Sequence, residues 1–546
     1  MSTQRARWLI AVLTAAFGVS TTAASLPFGP DDPLMALTDY RDASGVRPRE
    51  ITHFRDAWNA IWKLGDGTAR HALDVNTLDE VPDSSWFENR IGVRPMAPAD
   101  IATGPNRGDP PSGPWTVTSG KFEGVTPGLQ MKDASGQLYF IKFDPPGSPE
   151  LGSGAEVIST KLLHAAGYHV PENSIIVFGR EGLRVASGAL VRAADGSRHP
   201  MSASDLDALL SKVARRADGR YRAVASKALP GRPLGPFSYY GVRPDDPNDT
   251  IPHEHRRELR GLRVFAAWIN HVDVKSQNSL DTLVGDDSGR RVVRHHLLDF
   301  NATLGSAGIG PADRGSGPEY ILDRRPILLS LFSLGLYVRP WLTIPYPDMP
   351  SVGRFEGDRF EPECWKPTFP NRAMLNARPD DTFWAARRVA AFSDEAIRAV
   401  VETAGYSDPR ATDAIASALV KRRDKIARAW LTDVNPLVDF AIDDAPALTF
   451  RNAAVAAGAA TPAAEYRVQW FRFDNGAGTI APVGPIATSA SPGVAVPPDL
   501  RNSAEFIGAD VAAVHPRHPA WQRPVRVYFR RHEHGWTLVG LERLPD

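Results

Sequence analysis

Three short segments of the chain hold residue types that could do chemistry together. Tyr139-Phe140-Ile141-Lys142-Phe143-Asp144 reads as a strand whose one cation is Lys142. His271-Val272-Asp273-Val274-Lys275-Ser276-Gln277-Asn278 is a polar loop at the end of an amphipathic stretch, and Leu297-Leu298-Asp299-Phe300-Asn301 ends an apolar one. Phosphoryl transfer needs a cation on the phosphates, carboxylate and amide oxygens for magnesium, and a carboxylate beside the incoming hydroxyl. The three segments supply that inventory. Taken singly, each residue has a plainer role: Lys142 as a charge guarding an edge strand, Glu156 as a solvated helix residue, Asp273 and Asn278 as loop and capping groups, Asp299 as the cap of a turn. Their agreement in one order argues for chemistry.

Read together, the segments resemble the protein kinase superfamily. The loop fits H-x-D-x-K-x-x-N at all four named positions, and Asp299-Phe300-Asn301 is similar to D-F-G, departing at its third residue. The resemblance implies ATP and Mg²⁺. Lys142 would hold the α- and β-phosphates, Glu156 would orient Lys142, and Gly124 and Gly128 would lie against the nucleotide. Asp273 would be the catalytic base, Lys275 would touch the transferred phosphate, and Asn278 and Asp299 would bind magnesium. The loop from Gly120 to Gly128 is not G-x-G-x-x-G, Asn278 and Asp299 are 21 residues apart, and Gly317-Pro318-Glu319 stands where A-P-E would be. These departures look more like the atypical branches, the bacterial persistence-toxin kinases or the phosphoinositide kinases, and they bear on a peptide-substrate site more than on the nucleotide site. By motif the resemblance covers about residues 115–300, and by element order 115–435.

The elements that must position these residues follow from hydrophobic periodicity. Strands are expected at Trp115–Val117, Leu129–Met131 and Leu138–Phe143, the last two joined by a turn at Asp133-Ala134-Ser135-Gly136. A helix over Gly154–Ala166 ends at Gly167, and further strands follow at Asn173–Gly179 and Leu183–Arg192. Helices are expected at His53–Leu64, His255–Asn270, Asp380–Ala404 and Ala411–Leu431, with a hairpin at Ser279–Val284 and Val292–Phe300. The fold class is α+β: a bilobal kinase-like fold with a C-terminal all-β, sandwich-like domain. The ranges are a signal peptide 1–24, an extension and linker 25–114, an N-lobe 115–245, a helical C-lobe 246–440 and a β domain 445–546, expected to be separable.

Composition bounds the partners. Lys and Arg equal Asp and Glu at 63 each in 546 residues, so no basic excess marks a nucleic-acid partner. The lone Cys364 excludes an intrachain disulfide or a cysteine metal cage. His253-Glu254-His255 and His532-Glu533-His534 put two histidines at i, i+2, which suits a metal only on a strand; the second pair reads as exposed residues of a hairpin turn, and His515-Pro516-Arg517-His518 as an exposed Pro-rich loop. No later stretch is long and apolar enough to span a membrane once the N-terminus is removed. The reading is an exported phosphotransferase moving the γ-phosphoryl group of ATP to an unknown acceptor. The alternative is an exported pseudokinase scaffold or envelope-binding protein that uses the β domain. Export rests on Arg5 and Arg7 before the apolar run Trp8–Val19, with Thr22 and Ala24 at −3 and −1; an uncleaved interfacial helix is the other reading. The location that export implies is periplasmic or secreted. If Ala24 is the cleavage point, N-terminal sequencing of the exported chain should start at Ser25; a chain still starting at Met1 favours the interfacial helix.

Overall fold

The computed structural model describes residues 28–52, 58, 70–120, 126–192, 196–334, 336–501, 505–533 and 535–543. Among them, part of the expected linker forms a short helix, α1 (Pro98–Thr103). A seven-stranded sheet follows, of β1 (Trp115–Gly120), β2 (Gly128–Lys132), β3 (Leu138–Phe143), β4 (Asn173–Phe178), β5 (Leu183–Arg192), β6 (Arg198–Pro200) and β7 (Tyr221–Lys227), in the order β4-β7-β3-β2-β1-β5-β6. The β2–β3 turn closes on Asp133, whose side chain accepts from the Ser135 and Gln137 amides at 2.9 and 3.0 Å. Alternation along β3 separates two faces. Tyr139, Ile141 and Phe143 bury into a cluster with Trp115, Val117, Leu129 and the helix α3 (Ala203–Leu210). Lys142 lies on the opposite face, toward α2 (Leu151–Ala166).

Two features of this sheet differ from the sequence reading. Helix α2 starts at Leu151, a turn earlier than expected, and β7 pairs between β3 and β4. Strand β7 escaped notice because both of its faces are covered: Tyr221 through Ala225 are all buried, and Arg222 is buried beside Asp144 at 3.4 Å. Lys142 therefore sits on an interior strand, which removes the edge-guarding role. Gly167 ends α2 with φ 128°, and a Cβ there would meet the Phe87 ring at 2.1 Å, so only glycine fits.

The chain next adds β8 (Arg232–Gly235), helix α4 (Arg257–Ile269) and the hairpin β9 (Ser279–Gly285) with β10 (Arg291–Leu297), in the order β10-β9-β8. Helix α5 (Arg324–Phe332) precedes α6 (Pro379–Ala390), α7 (Asp394–Glu402) and α8 (Pro409–Trp430). The single helix expected over Asp380–Ala404 is divided, because Phe392 turns into the core and Ser393 caps a new helix by accepting from the Ala396 amide at 3.1 Å. Strands β11 (Leu437–Ile442), β12 (Ala447–Asn452) and β15 (Gly493–Ala495) make one sheet. The other contains β13 (Glu465–Asp474), β14 (Thr479–Ser489), β16 (Phe506–Val514), β17 (Val525–His532) and β18 (Gly535–Glu542). Short helices at Ala453–Ala456 and Pro498–Arg501 stand where none was expected.

Packing joins these parts. One apolar cluster runs from Phe87 and Leu162 through Trp268, Trp384 and Trp430 to Trp470, Val511, Trp521 and Val527. The residues before β1 lace the sheets together. Phe28 packs on Phe473 and Tyr528, Ala43 and Val46 bury with Leu234, Leu283 and Val293, and Asp79 meets the buried Arg257 at 2.6 Å. Arg257 also holds Asp380 and Asp381, each at 3.0 Å. Burial opposes its charge, and the three carboxylates outweigh burial and keep its pKa above the ordinary value. The helix expected at His53–Leu64 lies outside the described residues, Trp58 excepted.

Whether residues 445–546 are separable, as expected, turns on this shared core. Trp521 is fully buried and donates from its indole to the Thr432 carbonyl at 3.2 Å, just beyond α8. Trp521→Ala should cost about 3–5 kcal/mol in a single cooperative unfolding transition followed by calorimetry. Two transitions with only one displaced would return independence to the C-terminal strands.

Candidate active site

Lys142 is flanked by β2 on one side, opposite Gly128, and by β7 on the other, opposite Val224. Its ammonium contacts Glu156 Oε2 at 2.9 Å and Asp299 Oδ1 at 2.8 Å. Burial disfavours the ammonium charge, and the two carboxylates outweigh it, so the Lys142 pKa lies above its ordinary value. Glu156 points from α2 toward the sheet and is almost wholly buried. Its other oxygen accepts from Asn173 Nδ2 at 3.3 Å, and the same nitrogen donates to Thr160 Oγ1 at 2.7 Å. The sequence reading did not single out Asn173. Its signal is a polar residue opening an otherwise apolar strand.

Asp299 follows β10 with φ 60°, a left-handed conformation that a non-glycine residue adopts at a cost. Its neighbours hold it there. The Leu298 amide donates to the Asn278 carbonyl at 2.9 Å, and Phe300 is fully buried with its ring 5.6 Å from that of His271. Thr303 Oγ1 lies 2.6 Å from Ser159 Oγ on α2. Asn301 donates to Thr126 Oγ1 at 3.2 Å, so it ties the segment to the loop before β2. Gly308, with φ 78°, comes so close to both that a Cβ would lie 3.0 Å from the Asn301 amide nitrogen and 3.1 Å from Thr126 Oγ1.

The polar loop after α4 is anchored at each end. Asn270 terminates the helix in the left-handed region and accepts from the Trp365 indole at 2.9 Å. Gln277 donates to the Ile51 carbonyl at 3.0 Å. Between these anchors Asn278 Nδ2 donates to the Asp273 carbonyl at 2.7 Å and to Asp273 Oδ2 at 2.9 Å, while Lys275 Nζ meets Asp273 Oδ1 at 2.8 Å. Both carboxylate oxygens are thus held, yet Asp273 and Lys275 remain partly exposed. His271 is buried, and burial lowers its pKa to about 4 against the pull of Asp273 and Asp299. It is a neutral packing residue.

The residues singled out by sequence thus fall into two linked groups. Lys142, Glu156 and Asp299 form one; Asp273, Lys275 and Asn278 form the other. The bond between Leu298 and Asn278 joins them. Gly128 lies beside Lys142 on the ladder, and Gly124 is outside the described residues. Two of the histidine motifs are accounted for elsewhere: His253 Nε2 contacts Asp249 Oδ2 at 2.7 Å, and His515 and His518 pack on Trp521, while His534 of the third lies outside the described residues. Cys364 is exposed. His71, Asp79 and Asp380 converge closely enough for a metal ion, but Arg257 already occupies both carboxylates.

No family model and no curated protein matches the chain. Among solved structures, a proinflammatory kinase of Helicobacter pylori, CtkA, is similar over 56% of this chain and 89% of its own, at 10% identity and a TM-score of 0.27. This neighbour is a kinase. A likeness of that size carries no argument about the site, whose interpretation rests on its own geometry.

Neutral burial of His271 and His296 has a consequence for stability, since burial holds both pKa values below the ordinary 6.5. The unfolded chain takes up protons first as pH falls through about 6.5, so stability is lost from there down to the folded value near 4 for His271. Each histidine should contribute up to about 1.4 kcal/mol per pH unit in that window. Chemical denaturation at several pH values should show the slope, and His271→Leu should flatten it. An unchanged slope would mean that His271 is not buried in its neutral form.

Proposed function

We propose that the chain is a kinase-like phosphotransferase that uses ATP and Mg²⁺, with the seven-stranded sheet and α2 as one lobe and the helices α4 to α8 as the other. The observation that carries this reading is the Lys142 ammonium between Glu156 and Asp299, beside a loop that holds Asp273, Lys275 and Asn278. The donor set suits the ligands: magnesium favours hard oxygen donors, which Asp299 and Asn278 offer. The Asn278 amide nitrogen is committed to Asp273, so its oxygen is the group available to a cation.

In this reading Lys142 holds the nucleotide phosphates while Glu156, itself fixed by Asn173, keeps the ammonium aimed. Bound magnesium would supply neutralisation of phosphate charge. Asp273 accepts the proton of the acceptor hydroxyl; held by Asn278 and Lys275, its carboxylate keeps one orientation, which is the main requirement of a positioned base. Lys275 lies where it can follow the transferred phosphate. His271 is unsuited to the base role because it is buried and packed on Phe300. Export, a periplasmic or secreted location and an envelope partner for the C-terminal strands belong to the same proposal, and the acceptor is open.

Wild-type protein with Mg²⁺–ATP should show a rise in melting temperature. Asp299→Asn, which tolerates the left-handed backbone, should abolish that rise with the fold intact. Asp273→Ala should keep it and lower phosphoryl transfer by about 10²-fold or more. If millimolar nucleotide with Mg²⁺ or Mn²⁺ leaves wild-type melting unchanged, the enzyme reading fails and the scaffold reading replaces it.

A further inference from the structure

The segment after the candidate site presents an exposed apolar surface that the phosphotransfer reading does not use. On α5 the consecutive residues Ile327, Leu328 and Leu329 are 46%, 48% and 40% exposed. Residues three in a row on a helix point about 100° apart, so this helix is apolar on more than one face. Beyond it Leu331, Phe332, Leu334 and Leu336 are 66%, 80%, 92% and 85% exposed, and Val338 and Leu342 are also exposed. Monomeric soluble proteins rarely expose so much contiguous apolar surface without a partner.

Three observations select the partner. First, a helix that meets one protein groove needs one narrow apolar stripe, whereas α5 turns Ile327, Leu328, Leu329, Leu331 and Phe332 outward over a broad arc with Pro326 buried behind it, which suits a fluid apolar layer. Second, residues 321–342 hold three arginines, Arg324, Arg325 and Arg339, and one carboxylate, Asp323, which Lys366 neutralises, while Arg339 is paired with Glu319. Arg324 and Arg325 are exposed at the helix start, and Tyr337 and Trp341 lie at the far end, partly buried. Basic residues and amphipathic aromatics flanking an apolar run match the anionic headgroup layer over a hydrocarbon interior. Third, the apolar run Pro326–Val338 is well short of the roughly 20 residues a spanning helix needs, and no described helix is long and apolar enough to cross a membrane. The surface can enter one leaflet only.

The segment is also held firmly to the body. Asp323 caps α5 and pairs with Lys366, Arg339 meets Glu319 at 2.9 Å, and the Ile321 amide donates to the Thr368 carbonyl at 2.8 Å. Thr368 in turn donates its own amide to the carbonyl of Val272, next to Asp273. We propose that residues 321–334 and 336–342 form a membrane-docking surface that inserts its leucines and Phe332 into the outer part of a lipid leaflet, with Arg324 and Arg325 on anionic headgroups. The proposal is independent of nucleotide chemistry.

Sedimentation with vesicles tests it. The full chain should pellet with vesicles of phosphatidylglycerol mixed into phosphatidylcholine, and less with phosphatidylcholine alone. The triple variant Leu331→Ser, Leu334→Ser, Leu336→Ser should lower the bound fraction about tenfold with an unchanged melting temperature. Arg324→Gln with Arg325→Gln should weaken binding to the anionic vesicles and leave binding to the neutral ones. All variants keep the same N-terminus, so any contribution of Trp8–Val19 is common to them. The proposal is overturned if the wild type stays in the supernatant with both vesicles, or if the triple variant pellets as well as the wild type. It is equally overturned if light scattering shows a vesicle-indifferent dimer that the triple variant returns to monomer, since a second copy would then cover the patch.

Discussion

Lys142 places its ammonium between the carboxylates of Glu156 and Asp299, and those three residues come from a sheet strand, a helix and the segment after a hairpin. Removing Lys142 would leave the buried Glu156 carboxylate uncompensated in a poorly hydrated place, a far larger loss than the intact pair contributes to stability. The trio therefore acts as a distance constraint more than as a source of stability. It fixes the spacing between the sheet and α2, and it sets where the chain leaves β10. Asp299 can hold its left-handed backbone because the ammonium, the buried Phe300 and the Thr303–Ser159 bond act on it and its neighbours from different sides.

A second set of buried charges does comparable work in the helical part. Arg257 has carboxylates from the early extension and from α6 on the same guanidinium, and Arg260 shares Asp381 at 3.2 Å. Because α4 leads directly into the loop carrying Asp273, this network fixes the helix that delivers the loop. The site is thus clamped from two directions, by Lys142 through the sheet and by Arg257 through the helices.

How much of this was legible in the sequence depends on the range of the interaction. The strands around Lys142, the helix with Glu156 and the β9–β10 hairpin follow from local alternation, and the Lys142–Glu156 contact follows from Lys142 facing opposite to Ile141 and Phe143. Strand β7 was hidden because burial on both faces erases alternation. Asn173 and Asn301 were not singled out as site residues because their roles come from contacts with Glu156 and Thr126, which no local pattern encodes. The division between α6 and α7 depends on Phe392 entering the core, again a tertiary fact. The extension read as irregular because its order is borrowed: Ala43, Val46 and Asp79 find partners far along the chain.

That borrowing has a consequence for the order in which the molecule can be made. The Phe28 amide donates to Asn475 at 2.6 Å, and the Gly29 carbonyl accepts from Arg530, partners separated by more than four hundred residues. A ribosome that delivers the chain from its N-terminus releases Phe28 long before Phe473, Phe506 or Tyr528 exist to receive it. Contacts of such high sequence separation close late and slowly. Phe28 and Gly29 are therefore among the last of the described residues to dock, since the strands that receive them come far later in the chain.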